Sequence, residues 1–367
     1  MKQNTKPTNH IMKQNWFAEK LSEYSAISGY QKPEPVQDAI KLDSNENHVI
    51  PKYLLQDITS GARKISDVRE YPLGGMERLA IALGKFVGVP AKMIGVGNGS
   101  DQILDLILGH FASKNTHILT SNPTFTFFEE RCKLYQIPVT AVPFSDSMKL
   151  NIDDFIAESG KADILYLDSP NNPTGFQFPK VSLQRLIKSF EGLVIIDEAY
   201  GQFGNYSISG MTKRMENLIV VNTLSKSFGL AGLRVGYFIA NKKFTDVFNR
   251  VIQYPYPLSS ISIEAAILAL EKSEQMHDAI NVIKSERQRI IDTLSRYDSF
   301  EVFDSKANFV LFDARGIYRR VYKALSEQGI AIRQLGKIGR CEGCLRVTVG
   351  TREMNSKFLL AVRDLLK

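Results

Sequence analysis

The chain reads as an α/β protein, with a mainly parallel, doubly wound sheet in a large domain and a second, smaller α+β domain. Three observations point there. Short apolar runs alternate with helix-like segments from Met93 to Ala240, as in repeated strand–helix units. Runs such as Leu193-Val194-Ile195-Ile196 are apolar at consecutive positions, the pattern of strands covered on both faces. After Tyr256-Pro257 the pattern changes to one long helical stretch followed by shorter strands.

In chain order, residues 1 to about 20 read as a polar, partly disordered arm. Strands are expected at Met93–Val96, Thr116–Thr120, Pro138–Pro143, Ile164–Asp168, Leu193–Asp197, Leu218–Thr223 and Arg234–Ala240. Helices lie between several of them, as at Asp101–His110 and Thr126–Tyr135. The later part reads as a helical stretch from Ser260 to Arg296, strands near Asn308–Phe312, Ala331–Arg333 and Leu345–Val349, and a closing helix, Glu353–Leu366.

A chain of 367 residues can bury one large core and a smaller one. No apolar run approaches the roughly 20 residues of a membrane helix. Met1 to Lys20 lacks the apolar stretch of a secretory signal, and arginine, the mark of a transit peptide, is absent before Arg63. The expectation is a cytoplasmic protein with no membrane contact. The net charge of +7 is dispersed rather than gathered into a basic run, which argues against a nucleic-acid surface. Three cysteines are too few for a disulfide scaffold and suit a reducing compartment. Cys341-Glu342-Gly343-Cys344 has the form C-x-x-C, but no second ligand pair stands out among Cys132 and five scattered histidines, so no metal site is expected.

Chemistry concentrates in a few segments. Thr223-Leu224-Ser225-Lys226-Ser227-Phe228-Gly229 sets one amine between hydroxyls, with Arg234 soon after. That set suits a phosphorylated aldehyde: the amine can form a Schiff base while Thr223, Ser225 and Arg234 hold the phosphate. A lysine in a polar turn can also be merely solvated. Asp197 closes an apolar strand, where open α/β sheets bind ligands, and Tyr200 follows it. An aspartate there can equally cap a helix. Ser169-Pro170-Asn171-Asn172-Pro173-Thr174-Gly175 is a stiff turn that can present the Asn172 amide to a flat ligand. Gly97-Asn98-Gly99-Ser100-Asp101 precedes an apolar helix, whose free N–H groups attract a phosphate or need only a cap.

These segments, in this order, resemble the fold-type I pyridoxal phosphate-dependent aminotransferases, and within them the histidinol-phosphate aminotransferase family. Further marks are Ser44-Asn45-Glu46-Asn47, Tyr71-Pro72, Tyr254-Pro255-Tyr256-Pro257 and Leu345-Arg346-Val347-Thr348-Val349-Gly350. The resemblance implies pyridoxal 5'-phosphate as cofactor. It implies that imidazole acetol phosphate and glutamate give histidinol phosphate and 2-oxoglutarate through a Lys226 Schiff base. Lys226, Asp197 and Tyr200 take the catalytic places. Gly99, Ser100, Asp101, Thr223, Ser225 and Arg234 hold the cofactor phosphate, Phe125 stacks on its ring, and Asn172 and Tyr200 meet its ring oxygen. Tyr71 reaches the phosphate of the neighbouring subunit, so the protein is expected to be a homodimer with shared active sites. Tyr30, Asn172, Arg333 and Arg346 line the substrate pocket, the two arginines facing its anions. The implied division is an arm at 1–24, parts of a small domain at 25–60 and 257–367, and the large cofactor domain at 61–256.

The chain departs from the family at Asn47-His48-Val49-Ile50, where a proline and a glycine are usual; that loop borders the pocket and bears on substrate choice. Aromatic aminotransferases and threonine-phosphate decarboxylases share the same scaffold. A regulator built on an aminotransferase-like domain would carry a winged helix, for which the stretch before Tyr30 is too short.

Overall fold

The computed structural model describes residues 8–27, 29 and 38–367, so Tyr30 lies outside the described residues. Strands β1 (Ile40–Leu42), β2 (Ile94–Asn98), β3 (Ile118–Asn122), β4 (Val139–Pro143), β5 (Ile164–Asp168), β6 (Leu193–Asp197), β7 (Leu218–Thr223), β8 (Val235–Ile239), β9 (Glu301–Val302), β10 (Phe309–Asp313), β11 (Ile330–Ile338) and β12 (Cys341–Thr348) form two sheets.

The larger sheet runs β2-β8-β7-β6-β5-β3-β4. All neighbours are parallel except β8, which is antiparallel to both β2 and β7. Alternation along its strands feeds two cores. Tyr166, Ile195, Ile219, Val221 and Phe238 pack with helices Gly99–Phe111 and Thr126–Leu134 on one face. Leu165, Leu167, Val194, Ile196 and Val220 pack with helices Ile152–Ser159 and Lys180–Ser189 on the other. Consecutive apolar residues are thus the direct consequence of cover on both faces. The parallel strands end together at Asn122, Asp168, Asp197 and Thr223, which brings polar side chains to one edge of an otherwise apolar layer.

The smaller sheet runs β1-β11-β12-β10-β9 and is antiparallel apart from the β1–β11 pair. Helices Ser273–Leu294, Tyr318–Glu327 and Arg352–Leu366 share its core.

The molecule differs from the sequence reading in several places. The stretch from Ser260 to Arg296 is two helices, Ser260–Glu271 and Ser273–Leu294, broken at Lys272. The first buries small and aliphatic residues against helices Lys52–Ile65 and Gly75–Val87, while the second offers one apolar face to the smaller sheet. Two different cores claim the two halves, and the break lets each face its own. The strands expected near Ala331 and Leu345 are longer and form one hairpin, whose register shifts at Gln334/Gly336 and Gly336/Ile338 absorb its irregular sequence. Cys341 and Cys344 therefore lie inside β12 rather than ahead of it. Finally, Thr8–Ser25 is a helix where a partly disordered arm was expected. No proline or glycine interrupts that segment, so nothing in it stops a helix from propagating. No helix among the described residues is long and apolar enough to cross a membrane.

Candidate active site

Two buried aspartates form the floor of a cleft at the carboxyl ends of the parallel strands. Asp197 ends β6; its Oδ1 accepts from Ala199 N at 2.9 Å and its Oδ2 from Tyr166 Oη at 3.2 Å. No α-helix starts there. A 3-10 turn, Gly201–Phe203, follows, so the carboxylate organises a tight turn rather than capping a helix. Burial pushes Asp197 up to about 6, against the pull of its two donors. Tyr166 is itself held by ring stacking on Phe128, with centroids 3.5 Å apart.

Lys226 rises opposite, from the short helix Leu224–Ser227 that follows β7. Thr223 caps that helix by accepting from Ser225 N at 3.1 Å, which fixes where the lysine leaves the chain. Lys226 Nζ donates to Ser44 O at 3.1 Å and lies 5.9 Å from the centre of the Tyr200 ring. Burial, then the nearby Arg346 charge, lowers this amine to about 8, while Asp101 and Glu46 pull the other way. An amine so placed is partly neutral near physiological pH, the form a nucleophile or base needs.

A second corner is built for an anion. Helix Gly99–Phe111 begins here, and Ser100, Asp101, Thr223, Ser225 and Arg234 line the cleft around its start. Arg234 adopts left-handed φ of 54°, its carbonyl accepts from Gly99 N at 2.7 Å, and its Nη2 donates to Asp101 Oδ2 at 2.7 Å. Gly99 sits at φ 75°, and a Cβ there would lie 2.5 Å from Arg234 Nη2. A Cβ at residue 99 would therefore push the Arg234 guanidinium away from the helix start and the hydroxyls beside it.

The remaining wall comes from the smaller sheet. Arg333 of β11 and Arg346 of β12 are cross-strand partners, and both line the cleft. Arg346 Nη1 donates to Asn172 Oδ1 and its Nη2 to Asp43 O at 2.9 Å, with its guanidinium 5.1 Å from the centre of the Phe309 ring. With Oδ1 so used, the amide N–H groups of Asn172 remain as donors. Phe125 also lines the cleft.

The structure thus gathers Ser100, Asp101, Phe125, Asn172, Asp197, Tyr200, Thr223, Ser225, Lys226, Arg234, Arg333 and Arg346 around one cavity, with Gly99 beneath Arg234. Tyr71 is not among its lining residues; it is exposed and stacks on Tyr256 with centroids 4.5 Å apart. His48 does not line the cleft either and pairs with Glu46 at 3.6 Å. The adjoining His48 side chain and the Lys41 pair hold the Glu46 carboxyl down at about 2.

Several lining residues were given no part in the cleft by the sequence reading, although Ser44 and Asn45 stood among its family marks. Asp43, Ser44 and Asn45 line the cavity as well. Asn45 donates from Nδ2 to Tyr200 Oη at 2.9 Å and from its backbone to Thr348 Oγ1 at 2.9 Å. Nothing local in the sequence signals these contacts, which depend on how two distant strands meet. Asp168 is different. It ends an apolar strand just as Asp197 does, at the edge where open α/β sheets bind ligands. Cys341 and Cys344 lie elsewhere, buried in β12; burial pushes the Cys341 thiol up to about 11 and the Cys344 thiol up further.

Residues 37–362 match the family model described as aminotransferase class I and II. The chain belongs to that family. This aminotransferase is 35% identical over 330 residues to the histidinol-phosphate aminotransferase of Pyrococcus furiosus, covering 89% of this chain and 93% of the relative. It is 34% identical over 329 residues to that of Thermoanaerobacter pseudethanolicus, with the same coverage. Among solved structures, the histidinol-phosphate aminotransferase of Sinorhizobium meliloti, in complex with pyridoxal-5'-phosphate, superposes with a TM-score of 0.81 at 23% identity, covering 89% of this chain and 90% of that one; at that identity the likeness concerns the fold.

Gly99→Ala should weaken phosphate-ester binding at the anion corner by about tenfold or more, because the added Cβ would displace the Arg234 guanidinium, whose charge-assisted hydrogen bond is worth roughly 1.5–3 kcal/mol. Equilibrium dialysis with a labelled phosphate ester reads this. Gly160→Ala, at a glycine with open space around it, should leave binding unchanged. Equal affinity in the two variants would remove Gly99 from the corner.

Proposed function

We propose that this aminotransferase uses pyridoxal 5'-phosphate to convert imidazole acetol phosphate and glutamate to histidinol phosphate and 2-oxoglutarate, as a cytoplasmic homodimer. The observation that carries the reading is a half-buried, partly neutral lysine that lines one cleft with two buried aspartates, an anion corner and two cross-strand arginines. The names of relatives about one-third identical over nearly the whole chain support the same substrates.

The residues present suit the cofactor. A phosphate needs the side-chain-free corner at Gly99, and a protonated ring nitrogen needs a buried carboxylate such as Asp197. Pyridoxal phosphate supplies an aldehyde carbon for amino exchange and a ring that accepts electron density. In this reading Thr223, Ser225, Arg234 and the first turn of helix Gly99–Phe111 anchor the phosphate. Asp197 keeps the proton on the ring nitrogen, and Asn172 and Tyr200 donate to the ring oxygen. Phe125 covers a ring face. Lys226 Nζ would be the group that holds the cofactor's aldehyde carbon and, once freed by the amino donor, the base that moves a proton between the substrate carbon and that carbon. Arg333 and Arg346 receive the substrate phosphate, and one of them must also receive the glutamate carboxylate.

Tyr71 supports the dimer. It is exposed, stacks on Tyr256, and belongs to a surface that also exposes Leu73, Ile81 and Tyr254. In this reading it reaches the phosphate of the second subunit's site.

Two experiments follow. Removing Arg333 should weaken histidinol phosphate more than glutamate by about 1.5–3 kcal/mol, the worth of a charge-assisted hydrogen bond, while removing Arg346 should impair both donors. Single-turnover titration of each variant decides this. No loss from Arg333→Ala with either donor would sink the phosphate-substrate reading in favour of an aromatic aminotransferase. For the dimer, mixing Lys226→Ala chains with Tyr71→Phe chains should give heterodimers with one site carrying both lesions and one intact site. Restored activity is the expected result, and its absence would place Tyr71 in its own subunit's chemistry.

A further inference from the structure

Asp168 has no assigned part in the chemistry above, yet it occupies a place equivalent to that of Asp197. It ends β5 in register with Asp197 at the end of β6, and paired residues of parallel strands share a face. It is buried and lines the cleft. All its hydrogen bonds run to the loops above. Its Oδ1 accepts from Thr124 Oγ1 at 3.0 Å and from Asn171 Nδ2 at 2.8 Å, and its Oδ2 accepts from Asn172 N at 2.7 Å. Thr124 adjoins Phe125, and Asn172 in turn accepts from Arg346. One carboxyl group therefore fastens the loop that carries the stacking ring to the turn that carries the amide.

Three donors on two oxygens match a carboxylate better than any neutral group of that shape, since an amide would turn an N–H2 toward one of them. The charge has a second consequence. Of the ionisable groups around the cleft, Asp197 is the one on the neighbouring strand, while Asp101 faces it from helix Gly99–Phe111. Tyr166 stands between strand and helix, donating to Asp197. Asp43 and the cations Lys226, Arg234, Arg333 and Arg346 line the other sides. Burial, and then the Asp197 charge, push Asp168 up to about 7 against its three donors, so its charge grows in as pH passes neutral. A second negative charge on the adjoining strand makes every proton held in the cleft harder to remove.

We propose that Asp168 is a positioning residue of the cofactor site: it ties the Thr124–Phe125 loop to the Asn171–Asn172 turn, and its charge beside Asp197 strengthens the hold on protons in the cleft. The inference rests on the cofactor reading given above.

The test compares wild type, Asp168→Asn and Thr124→Val as holoenzymes loaded with pyridoxal phosphate. Two quantities are read: the dissociation constant of the cofactor, and the pH midpoint of the change in its visible absorption band between pH ~6 and ~9. Asp168→Asn should weaken the cofactor about fivefold or more and lower the midpoint by about half a pH unit or more, since a lost negative charge releases protons earlier. Thr124→Val cuts one tie and keeps the charge; it should weaken the cofactor and leave the midpoint in place. If Asp168→Asn matches wild type in both quantities, Asp168 is only a turn-former and the proposal fails. Should Asp168→Asn not fold, Thr124→Val decides, and wild-type affinity in that variant overturns the tie. A wild-type protein that takes up no pyridoxal phosphate overturns the reading of the cleft itself, and the inference with it.

Discussion

Charge buried at the carboxyl ends of the parallel strands is the constraint on which the rest of the molecule depends. Strands β5, β6 and β7 are apolar because helices cover both faces, and they end together in Asp168, Asp197 and Thr223. Two carboxylates so deeply placed would be untenable alone. They persist because Tyr166, Ala199, Thr124, Asn171 and Asn172 donate to them, and because lysine and arginine close the cleft above. The same balance lowers the Lys226 amine, which pays for its burial in proton affinity. Chemistry and packing are here one problem, since the groups that make the site reactive are those that would otherwise make it unstable.

A short segment joins the two sheets at this point. Ser44 O accepts from Lys226, Asn45 donates to Tyr200, and Asn47 Nδ2 donates to Ser227 O at 3.0 Å, all on the side of the larger sheet. On the other side Asn45 exchanges hydrogen bonds with Thr348, its carbonyl accepts from Asn308 Nδ2 at 3.0 Å, and Asp43 O accepts from Arg346. The residues from Asp43 to Asn47 thus hold the arginine wall against the carboxylate floor. The departure at His48 lies just beyond, and its side chain turns to Glu46 rather than to the cavity. It leaves the stitching residues themselves intact.

What was legible in the sequence follows from what is local. The bounds of β5, β6 and β7 could be read directly, because cover on both faces writes itself as an unbroken apolar run. Motif residues around Lys226, Asp197 and Asn172 were legible because a turn, a cap and a strand end constrain residue type over a few positions. β1 and β9 were not, since three and two residues are too short to carry a period. The break at Lys272 was hidden because both helices share the helical period and differ only in the core they face. The contacts of Asn45 span most of the chain, and no local pattern encodes them. Asp168 ends an apolar run as Asp197 does, but Ser169-Pro170 follows it at once, so strand end and turn overlap in the sequence.

The most direct test of this account is the proton affinity of Lys226 in protein freed of cofactor. The rate of pyridoxal phosphate capture, followed by absorbance against pH, should rise with a midpoint near 8. In Arg346→Ala that midpoint should move upward, because a neighbouring positive charge has been removed. A midpoint near the ordinary lysine value of 10.5, unchanged by Arg346→Ala, would mean that the amine is not held among buried charges, and the account would fail.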